Sequence, residues 1–244
     1  MSGKLKWRFD ASTFKLLGRG LITDRITAIY ELVKNCYDAN ATRVDIEFIK
    51  VDKRNAKSTI IISDDGQGMS LKDITDKWLV VGTSNKRDTT FSAAPFNRRY
   101  IGEKGVGRFA TDKLGGHLQI LTRRKEDNLT LRVTVDWSAY EQQVIDNQDG
   151  VQQKLFTDLE NEYEFISEKN HFPTGHGTKL TITMLHEAWD KEMLLRLENQ
   201  LGRIIPPVFK LDPPFNIFLK ADVPEIPTRE IKAEPIENLA TVHV

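Results

Sequence analysis

Short segments with an apolar residue at every second position place the strongest constraint on the fold of this chain. In "RVDIEFIKV", Val44, Ile46 and Phe48 alternate with polar neighbours, and "STIIIS" follows as a β-branched run. Such alternation is typical of strands that bury one face and leave the other at water. Because a one-sided sheet needs an apolar cover, the sequence predicts an α+β fold, a two-layer α/β sandwich with one sheet face covered.

Two longer segments predict the helices of that cover. From residue 23 to residue 39, apolar residues recur at intervals of three and four, with Thr23 or Asp24 available as N-cap. "HEAWDKEMLLRLENQLGRII" has the same periodicity. Cys36, the single cysteine, falls within the first of these patterns, so we expect it in the core and no internal disulfide. Shorter helices are predicted in "SLKDITDKWLVVG" and "GVGRFATDKLGG", and further strands in "HLQILTRR", "LTLRVTVDW" and "GTKLTITML".

Charge and hydropathy exclude some classes of function. The 35 basic residues match the 35 acidic residues, so the summed field gives no general attraction to nucleic acid or to an anionic membrane. The start of the chain has no apolar signal region, and no window offers about 18 uninterrupted apolar residues. We therefore expect a cytoplasmic protein without membrane contact.

Three polar residues interrupt the first helix on one side. Glu31, Asn35 and Asp38 in "ELVKNCYDANA" are spaced so that a carboxylate, an amide and a second carboxylate project together. Taken alone, this stripe is equally consistent with a solvated helix face. The neighbouring motifs favour a site.

Two glycine-rich segments are those neighbours. "SDDGQGMS" follows a predicted strand, and its glycines permit a sharp turn and the close approach of a flat ligand. "GEKGVGRFA" precedes a predicted helix, so that free backbone N–H groups could converge on phosphate oxygens. This segment fits neither the P-loop pattern nor the Rossmann fingerprint.

The motifs, in this order, resemble those of the GHKL superfamily of ATPases, which groups gyrase-type topoisomerases, ninety-kilodalton heat-shock chaperones, sensor histidine kinases and MutL mismatch-repair proteins. "ELVKNCYDANA" is similar to the N box, "DDGQG" to the D-x-G-x-G box, "GTSNK" to the segment that opens the lid, "GEKGVGRFA" to the second glycine box and "GTKLTI" to the final G-T motif. The resemblance covers roughly residues 22–184, and MutL-, MORC- and chaperone-like domains are nearest in type. It implies the Bergerat ATP-binding fold, with a mixed sheet and helices on one face, and ATP and Mg²⁺ as ligands.

The resemblance also implies roles for individual residues. Glu31 would be the general base that deprotonates the attacking water, and Asn35 would coordinate Mg²⁺. Asp64 would accept a hydrogen bond from the adenine amine, with support from Thr178, and Asp38 would have a structural role. Residues expected around the base are Gly66, Gly68 and Met69, and those expected around the phosphates are Thr83, Ser84, Lys86, Gly102, Lys104, Gly105, Val106 and Gly107.

The predicted organisation is one ATPase domain over residues 1–205, followed by a proline-rich linker or the start of an incomplete second domain over 206–244. Within the first domain we expect an N-terminal arm at 1–20, an ATP lid at 83–101 and a peripheral insertion at 138–176. By the resemblance, nucleotide would close the lid and drive dimerisation, with the arm exchanged between subunits. DNA or a protein client could bind through regions outside this chain.

Some alternatives remain open at this point. A nucleotide-gated interaction module with negligible turnover has the same motifs as an ATPase. A histidine kinase catalytic domain is disfavoured by Glu31, because such kinases typically have asparagine there. His171 and His176 lack companion ligands at metal spacing, so we expect them in a surface loop, and "TRRKED" reads as a solvated hairpin rather than a DNA contact.

Overall fold

An eight-stranded mixed sheet is the centre of the molecule. The structure is a computed structural model. It describes residues 13, 20, 22–80, 91–92, 94–102, 107–141, 144–147, 150–153, 155–167, 171–208, 211–224 and 226–234. One pair of neighbouring strands in this sheet is parallel, and the other neighbouring strands are antiparallel.

The elements follow one another in a simple order along the chain. The helices are α1 (Arg25–Asp38), α2 (Leu71–Asp73), which continues as a π-helical turn over Ile74–Trp78, α3 (Ala110–Leu114) and α4 (Lys191–Gly202), with 3₁₀ turns at Gly107–Phe109, Trp137–Glu141 and Phe156–Asp158. The strands are β1 (Arg43–Ile49), β2 (Thr59–Asp64), β3 (Gly115–Arg123), β4 (Thr130–Asp136), β5 (Val144–Asn147), β6 (Gly150–Gln153), β7 (Glu162–Ile166), β8 (Gly177–Leu185), β9 (Asn216–Ala221) and β10 (Arg229–Glu230). Their order in the main sheet is β10–β9–β1–β2–β8–β3–β4–β7, and β1 and β9 are the parallel pair.

One face of the sheet is buried under the helices, as the alternating pattern predicted. Val44, Ile46 and Phe48 on β1 are fully buried, whereas the residues between them are half-buried or exposed. They belong to one apolar cluster with residues of α1, such as Ile29 and Leu32. The predicted α+β fold with a mixed sheet is confirmed.

Side-chain caps determine where the helices begin. Asp24 precedes α1, and its carboxylate accepts a hydrogen bond from the Thr27 N–H at 2.8 Å. Ser70 and Asp73 form a reciprocal capping box at α2, and Asp190 caps α4. Caps of this kind satisfy N–H groups that have no partner within the helix. None of the helices that the structure describes has the length and apolar composition needed to cross a bilayer.

The segment predicted as a peripheral insertion is only partly peripheral. The hairpin of β5 and β6 forms a separate two-stranded sheet. Strand β7, however, pairs with β4 at the edge of the main sheet, with Tyr163 opposite Val133. Tyr163 and Phe165 are both more than half exposed, because β7 is the last strand on that side. The acidic composition of this segment concealed the strand.

The prediction that residues 206–244 leave the domain is wrong for their described part. Strand β9 lies parallel to β1, with Ile217 opposite Val44, and β10 pairs with β9. Ile217 and Leu219 are fully buried. The prolines before β9 suggested a linker, but the alternation in "FNIFLKA" is that of a strand with one buried face. The predicted N-terminal arm lies outside the described residues, apart from Thr13 and Gly20.

Candidate functional site

A cavity of about 900 Å³ lies between α1, the end of β2 and the segment 94–102. That volume is typical of a site for a small organic ligand. The predicted residues that line it are Glu31, Asn35, Asp38, Asp64, Gly66, Gly68, Met69, Gly102, Gly107 and Thr178. The others, Thr83, Ser84, Lys86, Lys104, Gly105 and Val106, lie outside the described residues and stay predictions.

The polar stripe of α1 forms one wall of the cavity. The Glu31 carboxylate is 2.9 Å from the Lys34 ammonium, and 30% of its side chain is exposed. Asn35 lies one turn further along. A Cβ atom at Gly107 would be 2.9 Å from the Asn35 amide nitrogen, so the second glycine segment reaches this side chain.

Asp38 connects this wall to the segment 94–102. Its side chain is buried and accepts hydrogen bonds from the backbone N–H groups of Ile101, at 3.0 Å, and Gly102, at 3.2 Å. A carboxylate occupied in this way supports backbone rather than chemistry. These contacts are of the kind that the sequence analysis expected for Asp38.

Asp64 lies on the cavity wall where β2 ends. Its carboxylate accepts a hydrogen bond from the Gly66 N–H at 2.8 Å. Burial raises the pKa of Asp64 to about 7, and hydrogen bonds from Gly66, Cys36 and Thr178 oppose that shift without cancelling it. A half-buried carboxylate that strongly needs hydrogen-bond donors is suited to receive one from a ligand amine.

A row of hydroxyl groups extends from Asp64 across the sheet. Asp64 is opposite Thr178 on β8, and Thr178 is opposite Thr122 on β3. The Thr122 hydroxyl lies 3.1 Å from that of Thr178, donates to the Gly177 carbonyl at 3.2 Å and accepts from the Met69 N–H at 2.8 Å. Thr122 therefore joins β3, the start of β8 and the turn that leads into α2.

The sequence analysis missed Thr122, although the sequence contains a signal for it. Leu118, Ile120 and Thr122 share one face of β3, and all three are fully buried. A hydroxyl at a position where the strand is otherwise apolar indicates a specific hydrogen-bonding role.

The turn after Asp64 is shaped by close backbone packing. Gly68 has a φ of +67°, and a Cβ atom there would lie 2.2 Å from the Arg123 carbonyl oxygen. The turn between β3 and β4 thus rests directly on the D-x-G-x-G segment. In that turn Arg124 pairs with Asp127 through two bonds of 2.9 and 3.0 Å, as in an ordinary hairpin, although its residues also reach the rim of the cavity.

His176 lies in the loop that precedes β8, as the sequence analysis expected, but it is half-buried there. Its ring lines the cavity, and Nδ1 is 2.8 Å from the Gly66 carbonyl oxygen. Because a carbonyl can only accept, Nδ1 carries the proton. His171 is half-buried beside the ring of Phe172. Among the described residues, no group of three or more His, Cys, Asp or Glu could hold a metal ion.

The residues present fit ATP and Mg²⁺. A carboxylate acceptor and glycine turns stand on one side of the cavity, and Glu31 and Asn35 stand on another. As a metal ligand, the Asn35 amide would leave most of the coordination of Mg²⁺ to water and phosphate oxygens, as that ion prefers.

Comparison with known proteins gives the same picture. A model of the family described as histidine kinase-, DNA gyrase B- and HSP90-like ATPases matches residues 23–168. HgiDII of Herpetosiphon aurantiacus, named as a candidate type II restriction enzyme, is 33% identical over 102 residues, which are 42% of this chain and 15% of the relative. The DNA mismatch repair protein MutL of Rickettsia africae is 36% identical over 86 residues, 35% of this chain and 13% of the relative. MutL of Rickettsia bellii is 33% identical over 122 residues, 48% of this chain and 18% of the relative.

The chain thus spans less than a fifth of the length of these relatives. The family model covers more than half of all residues, including α1 and β2, which both contribute to the cavity. The predicted superfamily is confirmed. This chain belongs to the family of histidine kinase-, DNA gyrase B- and HSP90-like ATPases.

Proposed function

We propose that this chain binds Mg²⁺-ATP in the cavity and hydrolyses it to ADP and phosphate. The observation that carries the proposal is the meeting, in one cavity, of the α1 stripe and the Asp64 turn. In the sequence these segments are separate. Together they offer a general base and a metal ligand, which support phosphoryl transfer to water, and a carboxylate acceptor for the adenine amine.

Each residue has a distinct part in this proposal. Asp64 accepts a hydrogen bond from the exocyclic amine of adenine, and the turn at Gly66 and Gly68 leaves space for the base. Glu31 orients a water molecule and accepts its proton. Mg²⁺, held by Asn35, would neutralise charge on the phosphate oxygens. The second glycine segment, which begins at Gly102, supplies backbone N–H groups to the phosphates.

A nucleotide-gated interaction module with negligible turnover is the second candidate. The ion pair between Glu31 and Lys34 favours it, because the carboxylate is already engaged at 2.9 Å. A histidine kinase catalytic domain is a weaker candidate, since Glu31 stands where such kinases typically have asparagine.

Exchange of the proposed base separates these candidates. We expect Glu31→Gln to bind Mg²⁺-ATP with nearly native affinity and to lose turnover by about 10²- to 10⁴-fold, because it keeps the side-chain shape and removes the proton acceptor. Calorimetry measures binding, and phosphate release measures turnover. Glu192→Gln, an exposed position on α4, is the matched control.

The other results have clear meanings. Binding without turnover in the native chain indicates the gated module. Equal turnover in the native chain and Glu31→Gln means that Glu31 is not the base. A native chain that binds no nucleotide contradicts the proposal as a whole.

We also propose that nucleotide closes the lid at 83–101 and drives homodimerisation through the arm at 1–20, in a cytoplasmic protein. DNA or a protein client is a further proposed partner, supported by the names of the relatives, which are a mismatch repair protein and a candidate restriction enzyme. Light scattering of the same samples tests the dimer. A chain that stays monomeric with a non-hydrolysable ATP analogue would rule it out.

A further inference from the structure

Arg98 is a buried cation beside the cavity that the proposed mechanism does not use. Its side chain is 6% exposed, and it does not line the cavity. The rings of Tyr37, Phe96 and Phe215 surround the guanidinium at 4.8, 4.9 and 5.7 Å. Burial lowers the pKa of Arg98 from its ordinary value, but a guanidinium stays charged at physiological pH.

Backbone carbonyl groups from two distant segments satisfy this cation. At the end of α1, Nη1 donates to the Ala41 carbonyl and, at 3.5 Å, to that of Tyr37. Ahead of β9, Nη2 donates to the carbonyl groups of Pro213, at 3.3 Å, and Pro214, at 3.2 Å. A buried charge that loses such acceptors carries a large free-energy cost. Arg98 therefore holds α1 and the start of β9 in one arrangement.

The segment around Arg98 is a wall of the nucleotide cavity. Phe96, Tyr100 and Gly102 line the cavity on either side of Arg98. Hydrogen bonds attach this wall to its neighbours at several points. They run from Gln67 to the Ala94 carbonyl at 2.9 Å, from Ser92 to Asn40 at 2.6 Å, and from the Ile101 and Gly102 N–H groups to Asp38.

The same guanidinium faces the segment that leads into β9. Phe215 is buried and packs edge-on against Tyr37 with ring centroids 5.2 Å apart. The next residue, Asn216, donates its N–H to the Thr42 carbonyl at 2.9 Å and begins β9. One side chain thus contacts both the wall of the cavity and the segment that leads into β9.

We propose that Arg98 is a positioning residue for the nucleotide cavity and that it couples nucleotide binding to the docking of residues 213–221 on the sheet. The coupling is reciprocal: a ligand that holds the wall stabilises the docked strand, and a docked strand improves affinity for the ligand. Any part of the protein joined to β9 would sense the nucleotide in this way. The inference rests on the proposed function only in taking the nucleotide as the ligand.

Nucleotide affinity of variants provides the first test. We expect Arg98→Lys to weaken the binding of Mg²⁺ with a non-hydrolysable ATP analogue by tenfold or more, because one ammonium cannot reproduce the planar fork that reaches both sets of carbonyl groups. Arg98→Met should weaken it at least as much. Arg99→Met is the matched control, since Arg99 is exposed and adjacent in sequence, and it should bind as the native chain does.

Hydrogen–deuterium exchange is the second measurement, and its first comparison uses only the native chain, with and without the analogue. The analogue should slow exchange of the β9 amides several-fold, and Arg98→Lys at saturating analogue should lose that effect. Native affinity in Arg98→Lys, equal loss in Arg99→Met, or β9 exchange that nucleotide leaves unchanged would each overturn the coupling while the proposed function stands. A native chain that does not bind the analogue overturns the proposed function and the coupling with it.

Discussion

At the scale of single residues, Asp64 shows how a site residue can act against the stability of the fold. Burial raises the pKa of its carboxyl to about 7, from an ordinary value of 3.8. Between these values the folded chain holds a proton that the unfolded chain releases, so stability from this group falls as pH rises. Above pH 7 the cost is on the order of a few kcal/mol.

We expect Asp64→Asn to stabilise the chain without nucleotide at pH 8 and to change it little at pH 5, because asparagine fills the same place without ionising. The same variant should weaken ATP binding about tenfold or more, since it replaces the proposed acceptor for the adenine amine with a poorer one. Urea unfolding at several pH values measures the first effect, and calorimetry measures the second.

The exposed carboxylate Asp45 provides the control, and Asp45→Asn should leave the pH dependence unchanged. A native chain whose stability does not fall between pH 5 and pH 8 relative to Asp64→Asn would contradict the raised pKa.

At the scale of elements, the site depends on the register of three strands. Asp64, Thr178 and Thr122 align only because β2, β8 and β3 pair as they do. A slip of one residue in either pair would turn a hydroxyl to the opposite face of the sheet. The Thr122 hydroxyl also receives the Met69 N–H, so it joins this row to the turn that leads into α2.

We expect Thr122→Val to destabilise the chain by about 1–3 kcal/mol, because the Met69 N–H would lose its acceptor in a buried place. Nucleotide affinity should fall with it, whereas Thr122→Ser should keep both properties near native values. Thermal unfolding and calorimetry measure the two effects. If Val and Ser behave alike, the hydroxyl does not hold the turn.

At the scale of the whole molecule, strand β9 belongs to the same cooperative unit as the cavity. Phe215, Ile217 and Leu219 are buried in the central cluster, and β9 covers the edge of β1. Burial of one such side chain contributes about 1.5–3 kcal/mol. Three of them approach the net stability of a typical domain, about 5–15 kcal/mol.

A chain that ends at residue 205 should therefore not unfold cooperatively, because it lacks these side chains and exposes the edge of β1. A chain that ends at residue 234 keeps every described strand and is the control. Denaturant titration followed by circular dichroism distinguishes them. A cooperative transition of native midpoint in the shorter chain would show that β9 is an accessory strand.

Local patterns predicted the parts of this fold that depend on neighbours in sequence. The alternation in β1, the periodicity of α1 and the cap Asp24 are all visible in short windows, and the structure confirms them. The candidate site residues on α1 and after β2 were predicted because each motif is continuous in the chain, and these residues line one cavity.

Long-range pairing accounts for what the sequence analysis missed. Thr122, His176 and Arg98 act on partners that are 53, 110 and 115 residues away along the chain. Strand β9 likewise pairs in parallel with a strand near the start of the domain. No window of sequence contains both members of such a pair.

The sequence by itself determined the class of fold, the family motifs and many of the residues that line the cavity, because periodicity and spacing act within single elements. Only the tertiary structure decided that β7 and β9 complete the sheet and that His176 lines the cavity. It also decided that the buried Arg98 joins the wall of the cavity to β9. The physical reason is that burial and hydrogen-bond satisfaction depend on which distant segments come together.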